Sequence, residues 1–327
     1  GNGSSVMPAP EAATSAETTD TVEIVEVSPR DGLQNEQRIA STEAKLDLVD
    51  RLIEAGARRI ETVSFVHPKL VPTMADAEAV MARVPRREDI RYVGLALNER
   101  GVRRAIDAGI DEVNFVIPAT EAFALANQNT TRARLLEDLS VAGQLLQDAG
   151  VDLGVTVAVA FGCPFSGEVG PDEVVRIVAE AARRAELAEL ALADTIGCAV
   201  PEQVGALFAQ DGIREHARRR AHFHETRHTA IANAFAALSA GVRALDSSVG
   251  GLGGCPFAPG AAGNIATEDL VWALERSGWT TGINAESATE AGRAICAAVE
   301  VLPRSGLAAA GAFPPETPLE VPRQGHR

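Results

Sequence analysis

Arg30 and Asp31 stand side by side in SPRDGLQNE, and His222 and His224 alternate in HFHET. A carboxylate, two imidazoles and a guanidinium can serve a metal-assisted reaction in which negative charge develops on the substrate. The plain alternative for Arg30 and Asp31 is a surface ion pair, and their own stretch does not decide between the two. Two histidines at i and i+2 on a strand point to one face, which is the spacing two ligands of one ion require. Residues 251–264, GLGGCPFAPGAAGN, hold five glycines and two prolines, a loop whose backbone can approach a ligand closely. Cys255 lies in its middle, where a thiol could donate or accept a proton once the loop closes. Asn264 ends it, with an amide oxygen that could face the same pocket. Asp31, His222, His224 and Asn264 together form a mixed oxygen and nitrogen set, unlike a Cys/His structural zinc site. Such a set suits an octahedral divalent ion, Mg2+ or Mn2+, with positions open for a chelating substrate hydroxyl and carboxylate or carbonyl oxygen. Glu61 in IETVSF and Asp194 in LALADTIG are further carboxylates at strand ends. They read either as interior ion pairs or as the shell that orients Arg30.

These residues must be positioned by a regular scaffold. Short β-rich runs are expected at 22–27, 59–65, 90–97, 112–117, 152–160, 189–193, 220–224 and 244–249. Between them lie segments of helical period at 41–55, 76–84, 99–108, 131–149, 171–185, 201–209, 229–240 and 267–276, with 285–302 as extra helix. Ser41 is a candidate N-cap and Gly56 a stop; Pro171 followed by Asp172 and Glu173 suits a first helical turn. Eight strands alternating with helices predict an α/β fold, a (β/α)8 TIM barrel with extra C-terminal helices. A doubly wound sheet ranks second, since no GxGxxG follows the first strand. In a barrel the chemistry gathers on the loops after the strands, where every residue named above falls.

Composition narrows the class. The chain has 327 residues, 46% of them hydrophobic, and a formal net charge of −15. The acidic balance argues against a nucleic-acid or anionic-membrane surface, and no apolar run of spanning length occurs, so a soluble cytoplasmic protein is expected. Four cysteines, Cys163, Cys198, Cys255 and Cys296, are too few and scattered for a disulfide framework. Cys163 and Cys198 are taken as structural. Residues 1–20 read as a disordered leader or tag remnant, 21–302 as one barrel domain with its helical extension, and 303–327 as an extended or disordered tail.

With SPRDGLQNE, ETVSFVHPKLVP, FGCPFSG, ADTIG, HFHET and SSVGGLGGCPFAPGAAGNIATEDLV in place, residues 22–302 resemble the 3-hydroxy-3-methylglutaryl-CoA lyase family. That family lies within the wider group of metal-dependent, pyruvate-carboxyltransferase-like barrels. The resemblance implies that Asp31, His222, His224 and Asn264 hold the metal and that Arg30 is the catalytic cation. It also implies a proton-transfer role for Cys255, supporting roles for Glu61 and Asp194, and a place for His222 among the catalytic groups. Arg30, Gln34 and Arg227 would meet the substrate, a CoA thioester. A homodimer or higher homo-oligomer is expected, without nucleic-acid or membrane partners. The implied activity cleaves 3-hydroxy-3-methylglutaryl-CoA to acetyl-CoA and acetoacetate.

The family pattern HxHDTYGQALAN departs here at Glu225, Arg227 and His228, and Ala191 and Ala193 replace a Ser and a Gly. These changes leave open the same chemistry on a related acyl group, such as citramalyl-CoA giving pyruvate and acetyl-CoA. A forward Claisen-condensing acyltransferase and a barrel that binds without reacting are the other two classes. Lys69, Arg132 and Arg227 are basic candidates for the CoA phosphates, and the sequence does not select among them.

Overall fold

The computed structural model describes residues 20–254 and 262–315. Eight strands form a closed parallel barrel: β1 (Glu23–Glu26), β2 (Arg59–Ser64), β3 (Arg91–Leu95), β4 (Glu112–Pro118), β5 (Asp152–Ala158), β6 (Glu189–Asp194), β7 (Arg219–Phe223) and β8 (Ala244–Ser247). Each pairs with its neighbours in sequence, and β1 closes on β8 through the register Glu23 with Ala244 to Glu26 with Ser247. The expected barrel is the fold observed. Among the described residues no helix is long and apolar enough to cross a membrane.

The surrounding helices are α1 (Thr42–Glu54), α2 (Ala77–Met81), α3 (Glu99–Asp107), α4 (Glu121–Gln128), α5 (Arg132–Ala149), α6 (Pro171–Arg184), α7 (Pro201–Phe208), α8 (Asp211–Arg214), α9 (Ala230–Ser239) and α10 (Thr267–Arg276), followed by α11 (Ala285–Ala298) and α12 (Gly306–Ala310). Side-chain caps start several of them: the Ser41 hydroxyl accepts from the Ala44 N–H, and Asn98, Thr120 and Thr131 accept likewise at α3, α4 and α5. Val49, Leu52, Val80, Val102, Leu139, Leu146, Ile177, Val204, Leu238 and Leu270 fill the layer between helices and barrel. Burying one such side chain stabilises by roughly 1.5–3 kcal/mol, so this layer is the main source of stability.

Three departures from expectation stand out. Helix α4 is not expected from the sequence, because its eight residues carry a weak apolar stripe and rely on the Thr120 cap. The helix expected at 285–302 ends at Ala298, and Glu300 turns the chain at a φ of 59°. Part of the segment expected as a loose tail is instead docked. Arg304 donates its N–H to the Gly250 carbonyl, and the Asp269 carboxylate accepts from the Gly306 and Leu307 N–H groups at the start of α12. Tertiary partners order a stretch that composition alone marks as loose.

Candidate active site

Strand β1 runs into a π-helical turn, Ser28–Gly32, closed by the Gly32 N–H on the Val27 carbonyl at 3.1 Å. Pro29 removes one donor and ends the strand, and the widened turn brings Arg30 and Asp31 together at the barrel mouth. At β7, His222 and His224 point inward with ring centroids 5.0 Å apart. Asp31, His222 and His224 each offer one donor atom, and the three atoms lie within 4.8 Å of one another. His222 Nε2 and His224 Nε2 stand 3.9 and 3.8 Å from Asp31 Oδ2. A surface ion pair is excluded as the reading of Arg30 and Asp31, because the cluster is largely buried.

Asn264 reaches the same point through the loop after β8. Its backbone bridges to His224, and its Nδ2 donates to Asp31 Oδ2 at 2.7 Å and to the Leu252 carbonyl at 3.1 Å. Asn264 Oδ1 is buried with no hydrogen-bond partner among the described residues. The amide nitrogen and oxygen are nearly isosteric, so turning this amide over would aim Oδ1 at the Asp31 and histidine cluster. Glycine is required where this loop leaves and returns. A Cβ at Gly253, whose φ is 114°, would lie 2.6 Å from Asn264 Nδ2, and one at Gly263 would lie 2.5 Å from the Gly251 and Gly253 carbonyls. Cys255, between them, lies outside the described residues.

Arg30 is held from two sides. Its Nη1 donates to Asp31 Oδ1 at 2.8 Å, with Gln34 Oε1 at 3.4 Å, and its guanidinium is paired with the Glu61 carboxylate. Glu61 is fully buried and in turn accepts from Asn114 Nδ2 at 2.9 Å, whose Oδ1 accepts from the Thr156 hydroxyl at 2.7 Å. Burial works against the charged form of Arg30, but Glu61 and then Asp31 outweigh it and raise its pKa. Burial would likewise raise the Asp31 pKa, yet Arg30 and the two imidazoles hold it well below the usual carboxylate range. Arg30 stays a cation and Asp31 an anion.

Arg30, Asp31, Gln34, His222 and His224 open onto one cavity of about 180 Å3. Asn114, Thr156 and Thr195 add polar groups to its wall, and Leu95, Leu97, Val116 and Phe123 line it with carbon. Sequence reasoning misses Asn114, Thr156 and Asp246, which accompany the named residues here. Their signal is a polar side chain at an inward position of a barrel strand, in EVNFVIP, LGVTVA and ALDS.

Two expected site residues are placed elsewhere. The Asp194 carboxylate accepts from the backbone N–H groups of Cys198 and Ala199 at 2.9 and 3.0 Å and from the Cys198 thiol, so it shapes the turn after β6, whereas Glu61 is the carboxylate brought to Arg30. Burial, then Asp194, pushes the Cys198 thiol up to about 12, in keeping with a structural cysteine. Arg227 points its guanidinium at the Ile196 and Gly197 carbonyls, at 3.2 and 2.8 Å, and does not line the cavity. It straps the loops after β6 and β7 together. Arg132 is committed as well, to the Ala119 carbonyl, Glu121 and Glu173.

The base of the glycine-rich loop is gripped by Glu26, a fully buried carboxyl on β1. It accepts from the Ser28 N–H at 3.0 Å, the Val249 N–H at 3.2 Å and the Thr267 hydroxyl at 2.5 Å. Burial raises its pKa from 4.5 to about 7. Because the folded pKa lies above the unfolded one, the stability this group contributes is complete below about pH 4.5 and is lost as pH rises through about 7. The whole change is about 3 kcal/mol. Glu26→Gln is therefore expected to gain stability relative to the parent chain by that amount between those pH values, read from urea unfolding at each. A pH-independent difference between the two chains would remove Glu26 as the titrating group.

The HMGL-like family model matches residues 21–295. The hydroxymethylglutaryl-CoA lyase of Pseudomonas mevalonii is 40% identical over 294 residues, 88% of this chain and 97% of that protein. The (R)-citramalyl-CoA lyase of Chloroflexus aurantiacus is 41% identical over 277 residues, 81% of this chain and 87% of that one. Among solved structures, an HMG-CoA lyase from Acenitobacter baumannii in complex with coenzyme A and 3-methylmalate superposes with a TM-score of 0.88 at 38% identity, covering 94% of this chain and all of the other.

Proposed function

This chain belongs to the HMGL-like family, and we propose that it is a carbon–carbon lyase that cleaves 3-hydroxy-3-methylglutaryl-CoA to acetyl-CoA and acetoacetate. The observation that carries the reading is the Asp31, His222 and His224 cluster beside the Arg30 guanidinium in one cavity. Those three residues, with the amide of Asn264, would hold a divalent ion. Two neutral imidazoles with hard oxygen donors fit Mg2+ or Mn2+, and Asn264 Oδ1, buried without a partner among the described residues, is the atom such an ion would satisfy. The ion supplies Lewis-acid polarisation of the substrate's 3-hydroxyl when bound.

The chain's own groups account for the rest. The 3-hydroxyl gives its proton to a base as its oxygen becomes the ketone of acetoacetate, and the electron pair of the bond broken between the carbinol carbon and the thioester α-carbon becomes a thioester enolate. Arg30, kept cationic by Glu61 and Asp31, would bind the enolate oxygen. Protonation of the enolate carbon then yields acetyl-CoA, and Cys255 is the proposed donor. Glu61, Asn114 and Thr156 hold the guanidinium in one orientation, so little reorganisation accompanies the charge shift. The acidic charge of −15 and the unpaired Cys163, Cys198 and Cys296 support a cytoplasmic setting. The helices beyond the barrel support a homo-oligomer.

A second reading keeps the mechanism and changes the acyl group. The citramalyl-CoA lyase relative is as similar as the hydroxymethylglutaryl-CoA lyase, and citramalyl-CoA is shorter by one methylene. Acetyl-CoA release from a panel of 3-hydroxyacyl-CoAs, with Mn2+ or Mg2+ and with EDTA, separates them. Metal-dependent release with acetoacetate is expected. Release with pyruvate alone would move the substrate to citramalyl-CoA, and no release from any thioester would overturn the lyase reading.

A further inference from the structure

The interior of the barrel below the site is charged rather than apolar. Arg59 on β2 donates to both oxygens of Glu189 on β6, at 2.8 and 2.7 Å, and to Glu112 on β4 at 2.5 Å. Arg220 on β7 donates Nε to Glu189 at 2.6 Å and Nη1 to both oxygens of Asp246 on β8, at 2.7 and 2.8 Å. Asp246 Oδ2 lies 2.9 Å from His222 Nδ1. Arg59, Arg220, Glu112, Glu189 and Asp246 are all at most 5% exposed. A well-packed apolar interior of the same volume is often as stable as a buried ion network or more so, so stability alone does not account for this column.

We infer that Asp246, locked by Arg220, is a positioning residue that fixes which ring nitrogen of His222 faces the Asp31 and His224 cluster. The inference rests on the reading of that cluster as a metal site. An ionised carboxylate can only accept, so the bond at 2.9 Å places the proton on His222 Nδ1. The lone pair of Nε2 is then left on the side of Asp31, where a cation would use it. Arg220 binds both Asp246 oxygens, which fixes the carboxylate plane and keeps Oδ2 in line with the ring. His224 has no such device: its Nδ1 is buried with no hydrogen-bond partner among the described residues. The two ligands are thus unequal, one with its tautomer set from the barrel floor and one without.

The test reads the tautomer and the metal separately. Long-range 1H–15N spectra of the metal-free, histidine-labelled chain, at a pH where the rings are neutral, are expected to show His222 as the Nδ1–H tautomer. The Nε2–H form there would overturn the inference. In Asp246→Asn the amide can donate to Nδ1, so His222 should switch to Nε2–H, and the Mn2+ dissociation constant from EPR titration should rise by about 10- to 100-fold. Arg220→Met/Asp246→Asn, which also removes the guanidinium left unpaired, should show the same switch and loss where the single variant folds poorly. An unchanged tautomer with Mn2+ affinity within threefold of the parent in these variants would sink the inference. Failure of the parent chain itself to bind Mn2+ would overturn the metal-site reading, while its tautomer spectrum would still decide the role of Asp246.

Discussion

Arg30→Met is expected to reduce turnover by at least about 10²- to 10³-fold, the range seen when one preorganised donor to a developing anion is removed. Methionine keeps much of the side chain's length and none of its charge. Glu61, Asp31 and Gln34 engage all three nitrogens of the guanidinium, which leaves an Nη2 hydrogen for a substrate oxygen. That contact strengthens as the thioester becomes an enolate, so the loss should fall on kcat rather than on KM. Mn2+ affinity should change little, because Asp31, His222, His224 and Asn264 all remain. The variant carries a second consequence. Glu61 is fully buried and, among the described residues, would keep Asn114 as its only hydrogen-bond partner, so a lower melting temperature is expected alongside the kinetic loss. Turnover within tenfold of the parent chain, in a folded variant, would show that Arg30 does not meet the reacting oxygen.

Asp31→Ala should remove both metal binding and activity. Asp31 is the only carboxylate in the proposed donor set, and its neighbours hold it ionised far below neutral pH. Without it, two neutral imidazoles and an amide confront a hard divalent cation, which binds oxygen anions far better than nitrogen alone. The Asn264 amide would also lose its 2.7 Å partner, loosening the return of the glycine-rich loop. Mn2+ should raise the melting temperature of the parent chain, as any ligand of the native state does, and leave that of Asp31→Ala unmoved. A variant that still gained stability from Mn2+ and still released acetyl-CoA would refute the ligand assignment.

Much of this site is legible in the amino-acid sequence because it depends on local periodicity. Strand alternation puts His222 and His224 on one face, and the position of Arg30 and Asp31 after a β-rich run puts them at a strand's end. Glycines at 253 and 263 mark close approaches, of Gly253 to the Asn264 side chain and of Gly263 to two backbone carbonyls. What local patterns cannot choose is the partner across the barrel. Glu61 and Asp194 are equivalent in sequence as carboxylates at strand ends, yet one meets Arg30 and the other binds the backbone after its own strand. Arg227 has the position of a pocket residue after the histidines, yet it binds two carbonyls of a neighbouring loop.

By itself the sequence determined the fold class, the donor types and the end of the barrel on which they gather, since a strand period of two and a helix period of 3.6 are written along the chain. Tertiary structure alone decided that Asn114 and Thr156 brace Glu61, that Asp246 and Arg220 stand behind His222, and that residues after Leu302 dock through Asp269. The physical reason is closure: joining β1 to β8 sets the stagger of every strand, and that stagger fixes which inward side chains from distant segments come within hydrogen-bond reach.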